Sequence, residues 1–367
     1  MTSDRADALG GRLPLADPAT HTRSGSDTMK AFTLTRYGKT DNVAVVERTQ
    51  PALGDDDVLV QIHAASINPL DLKIRNGELK PLLPYKLPIV LGNDLAGVVV
   101  ETGPRVRGFV PGDAVYAKPR QDRIGAFAEY LAVDESDVAP KPERLDMAEA
   151  ASLPLVALTA WQALVEKAHV QPGQKVLIHA GSGGLGSIAI QLAKHLGAHV
   201  ATTTSAANAG WVKDLGADVV IDYKTQNLAA ELSGYDVVLD TQGGQTLQKS
   251  LEVLKPGGTV ISVAGPPDPV FAREFGANWV LVQAMRALSL SIRRKAKRRS
   301  VTYSFLFMTA NGQQLRQLGA LVDAGVIRPV IDRVFPFADT LGALSYVESG
   351  RAKGKVVVSV TSEEPRS

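Results

Sequence analysis

The amino-acid sequence predicts an α/β protein in which a doubly wound parallel sheet is inserted into a barrel-like β module. Three observations carry this. From Met29 to about Pro154 the apolar runs are short, β-like and broken by Gly and Pro. After Leu155, strand and helix patterns alternate at the spacing of βαβ units. Beyond Gly312 the pattern returns to strands, so the first module is split in sequence around the second.

In chain order, Met29-Lys30-Ala31-Phe32 opens the first strand pattern, and Val58–Ile62 and Leu95–Val100 read as strands. Turn clusters follow at Gly103-Pro104 and Pro111-Gly112-Asp113. Lys175–Ala180 reads as a buried strand and Gly186–Leu196 as a helix ended by Gly197. A strand at His199–Thr203, a helix at Ala207–Leu215 ended by Gly216, and strands at Asp218–Ile221 and Asp236–Asp240 come next. Helix Gln245–Leu254 stops at Pro256-Gly257-Gly258, strand Thr259–Val263 follows, and a sixth strand is expected at Val301–Thr309. Helix Gln313–Ala324 leads into strands Ile331–Phe335 and Lys355–Val360. The expected division is a disordered tail at 1–28, the first part of the β module at 29–155, the parallel sheet domain at 156–312, and the return to the β module at 313–367.

Composition narrows the chemistry. The chain has 367 residues, enough for about two domains of roughly 150 residues each. Forty Lys and Arg against 38 Asp and Glu leave a formal net charge of +2, which argues against nucleic-acid or membrane attraction by the whole molecule. With no cysteine, disulfides, Cys-ligated zinc, iron–sulfur clusters and thiol nucleophiles are excluded. Six histidines remain, and the pair His195 and His199 straddles Leu196-Gly197-Ala198, a helix end rather than a ligand face. Metal catalysis is therefore not expected. No run reaches the roughly 18 apolar residues of a membrane span. Residues 1–28 lack the apolar core of a signal peptide, and a cytoplasmic location is expected.

The sharpest chemical signal is Gly181-Ser182-Gly183-Gly184-Leu185-Gly186, which follows the apolar strand Val176–Ala180 and opens a helix. Gly181 permits a tight turn, Gly183 lets backbone approach a pyrophosphate, and Gly186 lets helix pack on strand. The helix N-terminus then presents amides and a positive dipole end to phosphates. A dinucleotide site is expected. An NAD site usually carries Asp or Glu at the end of the second strand. Here that strand runs into Thr202-Thr203-Thr204-Ser205-Ala206-Ala207-Asn208 without a carboxylate, which favours NADPH, whose extra phosphate carries about −1.5 to −2 charge. Lys213, Lys224 and Arg351 are the candidate cationic partners.

Several further motifs accompany this turn: Ser66–Lys73 (SINPLDLK), Leu91–Val99 (LGNDLAGVV), Leu158–Gln162 (LTAWQ), Ile221-Asp222-Tyr223 and Gly350–Val357 (GRAKGKVV). Together they resemble the medium-chain dehydrogenase/reductase superfamily, in its zinc-free quinone oxidoreductase branch, with most similarity to NADPH-dependent enone and alkenal reductases. The resemblance spans Met29 to Val360. It implies a Rossmann domain inserted into a partly open, GroES-like β-barrel catalytic domain. Zinc-dependent members carry a Cys where this chain has Asn68 and a His where it has Asn93, and amides are poor zinc ligands. The resemblance places Asn68 and Asn93 at the substrate pocket. It assigns NADPH contacts to Thr159, Gly181, Ser182, Gly183, Gly184, Leu185, Gly186, Ser205, Asn208, Tyr223, Val263, Phe307, Met308 and Arg351. Position 208, often Lys in such enzymes, is Asn here, which weakens the preference for NADPH without reversing it.

The implied activity is hydride transfer to an electrophilic acceptor, either an α,β-unsaturated carbonyl or a quinone, two classes that the sequence does not separate. Lys73 is the candidate catalytic donor, or a group fixing the nicotinamide ribose. The basic segment Arg286–Arg299 supports a different class, a coenzyme-binding regulatory or interaction protein with little catalysis, although no aromatic is interleaved for base stacking. Nucleic-acid or membrane contact is not the expectation. The apolar strand 301–309 is expected to pair two copies into a homodimer.

Overall fold

The structure is a computed structural model, and it describes residues 28–39 and 42–361. Of the tail expected at 1–28, residues 1–27 lie outside the described residues, and Thr28 opens the first strand. The first part of the chain runs β1 (Thr28–Leu34), β2 (Val43–Thr49), β3 (Asp57–Ile67), α1 (Pro69–Asn76), β4 (Ile89–Val90), β5 (Asp94–Thr102), β6 (Ala114–Ala117), β7 (Tyr130–Asp134) and β8 (Val138–Pro140). Strand β3 buries nearly every residue because it is paired on both edges, by β5 on one side and by β7 and a later strand on the other. Pro69 at the start of α1 fixes φ without removing a needed donor, and Gly77 ends the helix at φ 80.

Two helices, α2 (Met147–Ala151) and α3 (Pro154–Trp161), lead out of this module, the second continuing as a π-helical stretch at Gln162–Lys167. The chain then alternates β9 (Lys175–Ile178), α4 (Gly184–His195), β10 (His199–Thr204), α5 (Ala209–Asp214), β11 (Val219–Asp222), α6 (Leu228–Glu231), β12 (Tyr235–Asp240), α7 (Gly244–Val253) and β13 (Leu254–Ser262). All pairings in this sheet are parallel, and its order is β11-β10-β9-β12-β13 followed by one further edge strand. The order reverses on either side of β9, so a crevice opens beyond the carboxyl ends of β9 and its neighbours.

Before the edge strand come α8 (Pro269–Glu274), α9 (Trp279–Leu288) and α10 (Leu290–Arg298). The basic segment 286–299 is thus helical: Ile292 and Ala296 are buried with Tyr303 and Phe305, while Arg294, Lys297, Arg298 and Arg299 are exposed. The edge strand β14 is shorter than the sequence predicts, Thr302–Phe305 rather than 301–309. Gln162 explains the early exit: its amide donates to the Thr309 carbonyl at 2.9 Å and accepts from the Thr309 N–H at 3.0 Å, satisfying backbone that a strand would otherwise pair. The expected helix Ala207–Leu215 likewise begins as a 3₁₀ turn at Ala206–Asn208 before α5.

The chain closes with α11 (Gly312–Asp323), β15 (Ile331–Pro336), α12 (Thr340–Glu348) and β16 (Lys355–Ser359). Strand β16 pairs antiparallel with β3, completing a sheet ordered β15-β16-β3-β5-β6-β8. The insertion read from the sequence is therefore realised: strands from both ends share one sheet, with the parallel sheet between them in sequence. One apolar core joins α3, α4 and α11 to one face of the parallel sheet. A second fills the antiparallel module, and a third lies beneath α7, α8 and α10.

Candidate coenzyme and substrate site

The glycine turn joins β9 to α4. Ala180 takes a left-handed φ of 53, and the Gly183 N–H donates to the Ala180 carbonyl at 2.9 Å, closing the turn. A Cβ on Gly181 would lie 2.1 Å from Thr202 Oγ1, and one on Gly186 would lie 2.2 Å from the Ala180 carbonyl oxygen. Those two glycines are required by the packing of the turn on its own sheet. Gly183 differs: its Cβ would meet nothing nearer than 3.4 Å, which leaves its outer side open. Gly183 also precedes α4 without any side-chain cap, so the first-turn amides lack an acceptor within the helix. Gly184 has a role the sequence did not disclose, since its Cβ would lie 2.6 Å from Lys355 Cδ. Ser182 is tied to the same strand, its carbonyl accepting from the Gly354 N–H at 2.9 Å, and Leu185 packs on the core below.

At the end of β10, Thr204 Oγ1 and Asn208 Oδ1 are both buried and have no hydrogen-bond partner among the described residues. Ser205 opens the 3₁₀ turn and accepts from the Asn208 N–H at 2.9 Å. Tyr223 follows β11, is 63% exposed, and lies with its ring centroid 6.0 Å from the Lys224 ammonium. At the end of β13 the Val263 N–H donates to the Asp240 carbonyl at 3.0 Å. Thr159 is buried and donates to the Leu155 carbonyl at 2.6 Å. Arg351 is exposed, with no ion pair among the described residues. Lys73 is half-buried in the last turn of α1, with no side-chain hydrogen bond or ion pair among the described residues.

Asn68 and Asn93 are fully buried. Asn68 Nδ2 donates to Asp94 Oδ2 at 2.8 Å, and its Oδ1 accepts from Lys355 Nζ at 2.6 Å. Asn93 Nδ2 donates to Asp71 Oδ1 at 2.8 Å, and Asn93 Oδ1 has no partner among the described residues. Ser66 Oγ and the Leu155 N–H complete the shell of Asp94, at 2.9 and 2.8 Å. Lys355 also donates to the Ile67 carbonyl at 3.2 Å and lies 3.4 Å from Asp94 Oδ2. Burial pushes the Asp71 carboxyl up to about 7 despite hydrogen bonds from Asn93 and the Asn68 backbone. Burial also pulls the Lys355 ammonium below its ordinary value, against the pull of Asp94 and Asp71. The motif around 350–357 drew attention to Arg351 and missed Lys355. Its signal was a lysine heading a run of buried valines.

The structure also holds a cavity of about 620 Å³, within the usual range for a small-molecule site. Its walls include Lys118 and Gln121 from the loop after β6, Phe271 and Phe275 from α8 and its end, and Phe307 and Met308 beyond β14. The Phe307 ring lies 6.2 Å from Phe271 and 6.4 Å from Phe275. Lys118 is only 1% exposed, and its Nζ donates to Gln121 Oε1 at 2.9 Å. Burial pulls its ammonium down to about 8, with the carboxylates of Asp94, Asp137, Asp71 and Asp122 offsetting part of that shift. The structure thus brings Phe307 and Met308 to one cavity, and Lys73, Asn68 and Asn93 are not in its wall. Among the described residues no group of three His, Asp or Glu is arranged to hold a metal ion, and no helix is long and apolar enough to cross a membrane.

Comparison with known proteins agrees with this architecture. Residues 54–143 match the alcohol dehydrogenase GroES-like domain, and residues 215–358 match the family described as zinc-binding dehydrogenase. The chain is 38% identical over 346 residues to 2-methylene-furan-3-one reductase of Solanum lycopersicum, covering 90% of this chain and 79% of that one. It is 35% identical over 341 residues to the NADPH-dependent alkenal/one oxidoreductase, chloroplastic, of Arabidopsis thaliana, covering 90% and 79%. The solved structure of the quinone oxidoreductase from Coxiella burnetii superposes with a TM-score of 0.80 at 32% identity, covering 91% of this chain and all of that one. A GroES-like β module, an inserted parallel sheet with a glycine turn at its switch point, and relatives of this similarity together establish that the chain belongs to the medium-chain dehydrogenase/reductase superfamily of pyridine-nucleotide oxidoreductases.

Proposed function

We propose that this protein is an NADPH-dependent, zinc-independent reductase of an electrophilic acceptor, an α,β-unsaturated carbonyl or a quinone. The observation that carries the coenzyme assignment is the end of β10, Thr202–Asn208, which has no carboxylate and where the buried Thr204 hydroxyl has no hydrogen-bond partner among the described residues. Buried polar atoms are normally hydrogen-bonded, so a Thr204 hydroxyl with a proton to donate at this point of a Rossmann sheet fits a ligand phosphate that accepts it. The glycine turn fits the same ligand: open at Gly183, with amides of Gly184, Leu185 and Gly186 for the pyrophosphate. Thr159, Ser182, Ser205, Tyr223, Val263, Phe307, Met308 and Arg351 complete the proposed coenzyme contacts, with Lys73 a candidate near the nicotinamide ribose.

When bound, the reduced nicotinamide supplies a hydride, which with one proton from water reduces the acceptor while the coenzyme is oxidised. The chain's own part is to hold both partners, exclude water and stabilise charge on the acceptor's oxygen. Zinc independence is supported by the donor set. The Asn68 amide oxygen already accepts from the Lys355 ammonium, and the Asn93 amide is a poor ligand beside the thiolates and imidazoles that zinc takes. The relatives' printed names, an enone-type reductase, an alkenal/one oxidoreductase and a quinone oxidoreductase, support the acceptor classes.

The test is an NADPH-oxidation screen over 1,4-benzoquinones, enones and medium-chain 2-alkenals, with NADH in parallel and with chelator present. The expected result is turnover with at least one of these classes, faster with NADPH and insensitive to chelator. Turnover of none of them would refute the reading. The division at 29–155, 156–312 and 313–367 is retained as a proposal supported by strand membership of the two sheets. A homodimer is proposed through the edge at β14, although Asp268 Oδ2 already accepts from the Phe305 N–H at 2.8 Å, which limits pairing to the strand's earlier residues. Sedimentation checks it. The cytoplasmic location is likewise a proposal, resting on the polar composition of residues 1–28, and microscopy of the tagged full chain tests it against the chloroplast named for the Arabidopsis relative.

A further inference from the structure

We infer that the Lys118 ammonium receives the oxygen of the acceptor in the 620 Å³ cavity and donates a hydrogen bond to the charge that develops there during reduction. This rests on the reductase reading above and names the group that reading lacks. An ammonium carries three donors, and Lys118 has one acceptor among the described residues, Gln121 Oε1, with no carboxylate within 4 Å. A buried cation so under-partnered is costly unless something occupies the adjoining space. Lys118 and Gln121 both form part of the cavity wall, with Lys118 1% exposed.

The other charges in that wall are accounted for. Arg120 is paired with Asp137 at 2.9 Å and Asp134 at 3.1 Å, Glu274 lies 3.7 Å from Lys167, and Arg316 sits 5.6 Å from the Phe109 ring centroid. Gln121 cannot turn away, because its Nε2 donates to the Tyr85 hydroxyl at 2.8 Å while its backbone carbonyl accepts from that hydroxyl at 2.6 Å. The lysine is therefore held in place through Gln121. Phe271, Phe275 and Phe307 offer apolar walls to a flat conjugated body. Together these features select an acceptor whose reducible bond is conjugated to a carbonyl oxygen. No proton leaves Lys118: it donates a hydrogen bond, and the proton that completes the reduction comes from water.

The test uses the full chain with Lys118→Met and Lys118→Arg, each checked for thermal unfolding. Two readouts are taken: kcat/KM with the best enone or quinone, and binding of 4-nitrophenolate to the coenzyme-free protein by its absorbance, the phenolate mimicking the charged oxygen. Lys118→Met is expected to lower kcat/KM by about a hundredfold and to weaken phenolate binding by about tenfold or more, with NADPH affinity unchanged. Wild-type kcat/KM should fall as pH rises through about 8, where the ammonium is lost. Asp94, Asp137, Asp71 and Asp122 are the carboxylates near Lys118, with Arg120, Glu274 and Arg316 elsewhere in the wall. Lys118→Arg, charged at every accessible pH, should keep phenolate binding and lose that alkaline fall. Phenolate binding and kcat/KM equal in wild type and Lys118→Met, or an alkaline fall unchanged in Lys118→Arg, would overturn the assignment. Absence of turnover with phenolate binding still dependent on Lys118 would instead refute the reductase reading alone.

Discussion

Two buried lysines on neighbouring parts of the molecule have opposite surroundings. Lys355 is closed in by the Asn68 amide oxygen, the Ile67 carbonyl and Asp94, and its stem packs where a side chain on Gly184 would collide. Lys118 has one acceptor and borders a cavity. Burial lowers the ordinary pKa of both. The difference is in the partners: a fully partnered ammonium holds a fold together, whereas a partly partnered one at a cavity wall is available to a ligand. Lys355 joins the glycine turn to the antiparallel module; Lys118 serves the cavity that it borders.

The sharpest way to break this comparison is to remove each charge in turn. Lys355→Met leaves Asp94 buried without its cation, and is expected to cost about 3–5 kcal/mol of stability, read as a fall in the midpoint of denaturant unfolding. Adding Asp94→Asn should recover part of that loss. A Lys355→Met protein as stable as wild type would remove the structural role assigned here.

The Lys355 cluster also predicts a pH dependence. Asp71 titrates near 7 in the folded chain against an ordinary 3.8, so the folded state holds its proton more tightly. That contribution is fully present below about pH 4 and is lost as pH rises through about 7. Relative to Asp71→Asn, wild-type stability should therefore decline over that window, by a few kcal/mol at most. Parallel stability curves for the two proteins would contradict it. The smallest effect belongs to Lys118→Met, whose stability should stay within about 1 kcal/mol of wild type or rise, since an under-partnered buried charge is removed.

Much of the architecture was legible because local signals were strong. Gly197 and Gly216 end their helices at left-handed φ of 81 and 110, as their positions after apolar periodic runs predict. The glycine turn stood out because strand, turn and helix all appear within a dozen residues. What stayed hidden depends on distant partners. Lys355 meets Asn68 across 287 residues, so the lysine heading a run of valines does not by itself reveal the buried cluster that it centres. Thr309 is drawn out of its expected strand by Gln162, which lies 147 residues earlier. Lys118 carries no local signal that sets it apart from other lysines, and only the fold buries it at the cavity wall. The basic run at 286–299 leaves an interaction role open in sequence as the alternative; in the fold Ile292 and Ala296 pack beneath the sheet edge, while its charged residues and Leu288 and Leu290 face solvent.

We propose that the cleft beyond β9 and β10 holds NADPH on the glycine turn, with the phosphate-bearing ribose at Thr204–Asn208. Titration of the coenzyme-free chain with NADPH and NADH, followed by nicotinamide fluorescence, tests it most directly when Asn208→Asp is measured alongside. The account predicts saturable binding that favours NADPH in the wild type, with the preference lost or reversed in Asn208→Asp because a carboxylate then faces the phosphate. No saturable binding of either coenzyme, or affinities that Asn208→Asp leaves unchanged, would contradict it.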